Sequence, residues 1–336
     1  MKIRGGISGF GNVAARGHLP GWRSHPEVEI VAVHEPVAER RHEALRLIKN
    51  VRVYEDLELM LSGERLDFVD IASPPAFHFH TARKALEAAA HVLVEKPLCL
   101  NLADFDALKA LARKKDRALF CVHNWKNSPA YAMAIETAQA GRLGRLRRIE
   151  MTRLRTEQAG GAQWRIDPIT GGGGILIDHG WHVFYLMKAI AASAPRSVSA
   201  RLTRDSKIGI DVEAEIGLSF ANDLTGFAHL SWRAPARRTT ALIYGEDALL
   251  ELTMEEAVLT ARTGEVIRTA FSDQPDDSYH SAWFSNVASA VLGTIRNKTG
   301  FQACCENLSE ARTALATTLA ALGSDKAGGA SIALSE

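Results

Sequence analysis

The feature that most constrains this chain is a glycine turn, Gly9-Phe10-Gly11-Asn12-Val13-Ala14, set between a short apolar run and a helical stretch. The pattern is G-x-G-x-x-A. Gly9 permits a tight turn, Gly11 lets backbone approach a pyrophosphate, and Ala14 is small enough for helix and strand to pack closely. The helix that follows offers unpaired N–H groups to phosphates. Glycines at a strand–helix turn also serve structure alone, so context decides. Glu35 ends the second apolar run, 21 residues after Ala14. A carboxylate there accepts hydrogen bonds from ribose hydroxyls and repels a ribose 2′-phosphate, which favours NAD. The nearby Arg40 and Arg41 keep NADP open.

The rhythm after the turn agrees. Apolar runs at 3–8, 28–33, 51–54, 67–72, 91–94 and 118–122 alternate with helical patterns at 13–24, 37–49, 56–61, 76–90 and 101–115. Continuous apolar strands separated by helices predict a parallel sheet covered on both faces. Past residue 122 the rhythm changes. A helix over 129–140, a long strand over 146–156 and a helix from the glycine run 171–174 to Ala191 precede strand-like runs at 197–204, 211–220, 224–233, 239–245 and 248–253. Close spacing predicts a mostly antiparallel sheet. Two late helices are expected at 278–296 and 303–322, and the Gly/Ala/Ser-rich tail 324–336 reads as partly mobile. The expectation is therefore an α/β chain of two domains: 1–122, an NAD(P)-binding Rossmann domain, and 123–336, an α/β domain for substrate binding and oligomerisation.

Bulk properties exclude several partners. The formal net charge is +1, so no field gathers nucleic acid or an anionic membrane. No stretch resembles a membrane span or a secretory signal. Cys99, Cys121, Cys304 and Cys305 form no C-x-x-C pair, and they read as reduced, mostly buried thiols of a cytoplasmic protein.

Two further constellations carry chemistry. Glu95-Lys96-Pro97 follows the fifth strand. Ligands of open parallel sheets bind at the carboxyl ends of the strands, so Lys96 is aimed at the crevice. The plain alternative is a surface loop lysine. Asp178, His179 and His182 follow the glycine run, with Asp178 and His182 four apart on one helical face. D-H-x-x-H can also ligate metal, but no H-E-x-x-H or cysteine pair accompanies it, and no metal is expected. Trp125, Lys126, Trp164, Arg165, His179 and Trp181 are candidates to line a pocket; His80, Trp22 and Trp232 read as packing or surface groups.

In this order and spacing, the G-x-G-x-x-A turn, Ser73-Pro74-Pro75 with His78, Glu95-Lys96-Pro97 and Gly172-Gly173-Gly174 leading to Asp178 and His182 resemble the Gfo/Idh/MocA oxidoreductases over nearly the whole chain. The resemblance implies a Rossmann domain and an α/β domain with a large open sheet whose face forms homodimer or homotetramer contacts. It implies NAD or NADP held by Gly9, Phe10, Gly11, Asn12, Val13, Glu35, Ser73, Pro75, His78, Glu95, Lys96 and Pro97. It implies a sugar, sugar derivative or polyol substrate at Lys96, Asn124, Lys126, Trp164, Arg165, Asp178, His179 and His182. Lys96, His182 and Asp178 are the implied catalytic set: His182 as the base that takes the hydroxyl proton, Lys96 at the substrate oxygen, Asp178 as orienter. Pro75 stands where many relatives carry asparagine, His179 where an apolar residue is usual, and Lys126 where arginine is common. Two alternatives stay open: an NAD-dependent glycosidase of the same fold, and a non-catalytic sensor of nucleotide state.

Overall fold

The structure is a computed structural model, which describes residues 2–156, 163–272 and 279–334. The chain divides into two compact units, Met1–Asn124 with Asp277–Arg312, and Trp125–Asp276 with Thr313–Glu336. A single division at residue 122 does not capture this, because residues 277–312 return to the first unit.

The first unit begins with β1 (Ile3–Ser8), a π-helical turn Ala14–His18 and α1 (Leu19–Arg23). It continues through β2 (Val28–His34), α2 (Ala38–Leu47), β3 (Arg52–Tyr54), α3 (Leu57–Gly63) and β4 (Phe68–Ile71). Then come α4 (His78–Glu87), β5 (His91–Val94), α5 (Leu102–Lys115) and β6 (Leu119–Cys121). The six strands form one sheet in the order β3-β2-β1-β4-β5-β6, and every pairing is parallel. The order reverses between β1 and β4, the place where open α/β sheets take their ligands. The central strands are buried on both faces, from Phe68 through Ile71 and Val92 through Val94. This is why they read as apolar runs, interrupted only by Asp70 in β4.

In the second unit, α6 (Pro129–Gln139) and β7 (Leu146–Leu154) lead to a short helix α7 (Pro168–Gly171). A second π-helical turn, Leu176–Gly180, opens α8 (Trp181–Ala191). The strands β8 (Ser197–Arg204), β9 (Asp211–Ser219), β10 (Thr225–Ser231), β11 (Arg238–Gly245), β12 (Ala248–Leu252), β13 (Glu256–Ala261) and β14 (Val266–Ala270) follow. After α9 (Ser281–Asn297) and α10 (Cys305–Lys326) the chain ends in β15 (Ile332–Ala333). The second sheet has nine strands in the order β14-β13-β12-β11-β7-β10-β9-β8-β15. It is antiparallel except where β10 lies parallel to β7. Residues 155–224 separate those two strands, which is ample chain for a crossover. Alternation is clean in β9, where Val212, Ala214, Ile216 and Leu218 are buried and Glu215 is exposed.

The tail corrects the expectation of mobility. α10 continues to Lys326, Ile332 pairs with Val198, and Ser324 Oγ donates to the Ala330 carbonyl at 2.6 Å while accepting from Ala200 N at 2.9 Å. The expected helix start at residue 278 and the last two residues lie outside the described residues.

The return of 277–312 has visible causes. A Cβ on Gly21 would lie 2.6 Å from the Phe284 ring, so α1 and α9 pack in close contact. Ser24 and Ser285 share a hydroxyl hydrogen bond of 2.7 Å, and Glu27 pairs with Arg296. Asn307 receives the Cys121 N–H at 2.7 Å and donates to the Cys121 carbonyl at 3.0 Å. A side-chain amide thereby completes the ladder that the edge strand β6 would leave open.

Candidate active site

The carboxyl edge of the first sheet assembles its candidates in a row. Beyond the strands, Glu35 N bonds Tyr54 O, Gly9 N bonds His34 O, Ala72 N bonds Ser8 O and Glu95 N bonds Ile71 O, all between 2.8 and 2.9 Å. Glu35, Gly9, Ser73 and Glu95 therefore follow one another across neighbouring strand ends. Gly9 has φ +85°, and a Cβ there would lie 2.5 Å from Ser73 N. Only glycine fits between these two turns. Gly11 differs, since a Cβ would meet nothing closer than the Arg40 guanidinium at 3.8 Å. The space over Gly11 is a cradle a side chain would fill, and the Ala15 N–H to Gly11 carbonyl bond of 2.9 Å starts the helix there. Asn12 is exposed and Val13 half-buried at this turn, while Phe10 is fully buried beneath it. This arrangement fits a dinucleotide phosphate.

Glu35 is buried, and it anchors the turn. Its Oε2 accepts from Phe10 N at 2.7 Å and its Oε1 from Val37 N at 2.9 Å, with Arg40 4.0 Å away. It is not a solvated loop carboxylate. Arg41 is committed to the Glu35 and Pro36 carbonyls and to Glu55. Pro75 and His78 are buried too. The His78 ring nitrogens lie 2.7 Å from the Ser73 and Pro97 carbonyls. Burial, against the pull of these carbonyls, holds its imidazole below the ordinary value. His78 thus ties the loop after β4 to the loop after β5, and shapes the edge rather than presenting a group on it. The Lys96–Pro97 peptide bond is cis.

Sequence reasoning missed the network behind Glu95. His18, at the end of the first π-helical turn, is 2% exposed. Its Nδ1 lies 2.9 Å from Asp70 Oδ2 and its Nε2 lies 3.0 Å from Glu95 Oε1. Trp22 Nε1 donates to Asp70 Oδ2 at 2.7 Å, and Phe284 stacks on the imidazole at 3.9 Å. Both ring nitrogens face carboxylates, so both carry hydrogen and the ring is an imidazolium. Burial opposes that charge, but Asp70 and Glu95 outweigh it and raise the pKa to about 9. Burial likewise pushes Glu95 up, and His18 and Lys96 outweigh it, leaving the carboxyl below its ordinary value. The second Glu95 oxygen accepts from Lys96 N at 2.9 Å. A buried charge relay thus fixes the backbone from which Lys96 projects. The legible signal was an aspartate in the middle of the run Asp67–Ala72.

In the second unit, the glycine run brings Asp178, His179 and His182 into place. Asp211, at the start of β9, accepts from Gly174 N at 3.0 Å and Leu176 N at 2.7 Å. A Cβ on Gly174 would lie 1.9 Å from the Asp211 carbonyl, so glycine is required for this approach. The helical turn then widens into π geometry over Leu176–Gly180. Such turns recur at functional sites because they re-aim side chains within a helix. His182 Nδ1 lies 2.9 Å from the Tyr185 hydroxyl, which also accepts from Trp125 N at 3.2 Å. Trp125 and His182 rings lie 5.2 Å apart. His179 Nε2 lies 3.4 Å from Asp178 Oδ2, and its Nδ1 accepts from Arg153 Nε. The Arg153 guanidinium covers the Trp125 ring at 3.8 Å. Arg153 and Tyr185 were hidden within runs read only as strand and helix.

The remaining candidates scatter. Asn124 ends the first unit's leading segment, and Lys126 is half-buried in the short turn Asn124–Asn127. Trp164 and Arg165 stack on each other at 4.5 Å. Trp181 is fully buried and belongs to the core, which corrects its candidacy for a pocket; of the two readings left open for Trp22 and Trp232, packing or surface, both side chains take the first. All four cysteines are unpaired. Burial raises Cys99 to about 12 and Cys304 to about 11, so neither is a thiolate near neutrality. Among the described residues, no group of three His, Cys, Asp or Glu side chains is placed to hold a metal ion, and no helix is long and apolar enough to cross a membrane.

Comparison with known proteins identifies the lineage. Residues 3–123 match the model of an oxidoreductase family with an NAD-binding Rossmann fold, and residues 131–251 match the GFO/IDH/MocA C-terminal domain. D-apiose dehydrogenase of Paraburkholderia graminis is 25% identical over 93% of this chain and 83% of its own. An uncharacterised oxidoreductase of Synechocystis is 26% identical over 73% of this chain and 69% of its own. The structure of a levoglucosan dehydrogenase in complex with NADH and levoglucosan superposes with a TM-score of 0.88 over all of both chains at 18% identity, which shows a shared fold. The glycine cradle, the sheet order and both domain matches agree: the chain belongs to the Gfo/Idh/MocA family of oxidoreductases and binds NAD in its Rossmann domain.

Proposed function

We propose that this protein is an NAD-dependent dehydrogenase or reductase acting on a secondary alcohol, or the matching ketone, of a sugar, sugar derivative or polyol. The observation that carries the reading is the His18–Glu95–Lys96 relay, which fixes a lysine at the carboxyl end of β5 by a buried ion pair. A loop lysine with no task needs no such support. The names of the relatives, dehydrogenases of D-apiose and levoglucosan, support the substrate class.

Bound nicotinamide supplies the hydride acceptor or donor. Lys96 hydrogen-bonds the substrate oxygen and favours the negative charge that develops as its proton leaves. His182 takes that proton at Nε2. The Tyr185 hydroxyl, 2.9 Å from Nδ1, accepts the Nδ1–H in both charge states, which puts the lone pair of the neutral ring on Nε2. An imidazole titrates near working pH, which suits this exchange. Asp178 orients substrate. Glu35, a buried negative charge at the ribose end, favours NAD over NADP. We place the protein in the cytoplasm on its four unpaired thiols, and infer a homodimer or homotetramer through the second sheet, where Phe227 is 39% exposed.

The test is single-turnover hydride transfer, followed at the reduced-cofactor absorbance, in Lys96→Met and His182→Ala. Each variant is expected to lose about 10²–10⁴-fold while NAD affinity stays within a few-fold. Wild-type transfer rates in both would end the assignment. Turnover of a glycoside with no net cofactor reduction would point to the glycosidase.

A further inference from the structure

The second unit holds a cation that its fold does not require. Along β7, Ile149, Met151 and Arg153 alternate onto one face. Ile149 and Met151 are buried apolar residues, and the third position of the row is an arginine. Its Nε is spent on His179, and its guanidinium carbon lies 3.8 Å from the centre of the Trp125 ring. Among the described residues, no carboxylate lies within ion-pair distance of Arg153, and neither terminal nitrogen meets a hydrogen-bond acceptor. Its electrostatic neighbours are Arg155 and Arg237, both like-charged, and Tyr131 and Asp178, which favour its charge; Asp178 faces His179. Desolvation first, then Arg155, pushes the guanidinium down to about 9. Charges out of water are ordinarily paired, and a partly buried cation beside two others is costly without an anion. With Nε occupied, the two terminal nitrogens remain as a fork of the spacing that a carboxylate or phosphate accepts side by side.

We propose that Arg153 recognises an anionic group of the substrate, so that this enzyme acts on acidic sugars or polyols in preference to neutral ones. The inference rests on reading His179 and its neighbours Asp178 and His182 as the substrate side of the site. Trp125 holds the guanidinium plane, and His179, fixed between Asp178 and Arg153, sets its rotation. His179 thereby acquires a role as a positioning residue for the arginine.

The experiment separates binding from chemistry. The NADH-loaded full-length enzyme is titrated with D-glucuronate, D-galacturonate and D-gluconate, with glucose 6-phosphate, and with glucose, galactose and myo-inositol, read by calorimetry and thermal shift. At least one acid is expected to bind ten-fold or more tighter than its neutral counterpart. Arg153→Gln removes that preference, so that each acid binds no tighter than its neutral counterpart in the same variant. Arg153→Lys, which keeps the charge and loses the fork, retains part of it and serves if the glutamine variant does not fold. Preference for the carboxylates over glucose 6-phosphate assigns a sugar acid, and the reverse assigns a sugar phosphate. Neutral sugars binding as well as acids, no acid binding at all, or an acid preference that survives Arg153→Gln would each overturn the proposal. Hydride transfer with the same panel reads the dehydrogenase assignment separately: acids that bind without transfer in either direction count against that assignment and leave the anion site standing.

Discussion

Two cations in this molecule, the buried His18 and the half-buried Arg153, are handled in opposite ways. In the first unit, His18 is enclosed by Asp70 and Glu95, each within 3.0 Å of a ring nitrogen. In the second, Arg153 lies against an aromatic ring and makes no ion-pair contact among the described residues, with Arg155 and Arg237 opposing its charge and Tyr131 and Asp178 favouring it. The first charge is compensated inside the protein, so it serves position: it holds Glu95 and, through Glu95, the backbone of Lys96. The second has no carboxylate in ion-pair contact among the described residues, and Asp178 favours it only from a distance, which is the condition of a group that meets its counter-charge on a ligand. His18 is the last residue of one π-helical turn, Ala14–His18, and Arg153 touches the other, Leu176–Gly180, through His179.

The sharpest way to break the comparison is to remove compensation where it exists. Asp70→Asn takes one carboxylate from His18 and one acceptor charge from Trp22. Breaking a buried pair from one side costs about 3–5 kcal/mol. Urea unfolding of the variant should show a loss of that order, and a loss under about 1 kcal/mol would mean the imidazolium does not depend on its partners.

The next effect is pH dependence. The folded pKa of His18 is about 9 against 6.5 for a free histidine. A raised pKa means the stabilisation is fully present below about 6.5 and is lost as pH rises through 9. The span amounts to about 3 kcal/mol. Unfolding free energy should therefore fall between pH 7 and 10 in the wild type, and the decline should flatten in His18→Gln. Nitrogen chemical shifts of His18 that report a neutral ring at pH 7.5 would contradict the geometry directly.

How much of this was legible follows from where each signal lies. The parallel sheet was readable because its central strands are buried on both faces and are mostly apolar, with Asp70 the buried exception in β4. β13 and β14 were not read as strands. β14 is the sheet's edge strand and buries none of Val266–Ala270, so no alternation distinguishes it, and its neighbour β13 buries only Ala257 and Leu259. β15 is two residues of a small-residue tail, and only its pairing with β8 reveals it. Asp178, His179 and His182 were visible as a motif, whereas the π-helical turn that aims them differs from an α-turn by one residue of register and leaves no compositional trace. Arg153 sat inside a strand already rich in arginine, with Arg147 and Arg148 exposed before it, and nothing in the sequence separates the one that turns inward. The return of 277–312 depends on Gly21 and Phe284, 263 positions apart, which no local pattern reports.

The smallest expected effect is the most informative about the second unit. Arg153→Met continues the apolar row of Ile149 and Met151 with a side chain of similar reach. The variant loses a cation–π contact worth about 0.5–2 kcal/mol and the hydrogen bond to His179. It gains relief from desolvation and from repulsion by Arg155 and Arg237, and apolar replacements of buried charge are often neutral or stabilising by about 1–4 kcal/mol. The two sides nearly cancel, so unfolding free energy should change by no more than about 1 kcal/mol in either direction while acid-sugar binding is lost. A loss of about 3–5 kcal/mol, matching Asp70→Asn, would show that Arg153 is a structural charge like His18, and the contrast between the two units would collapse.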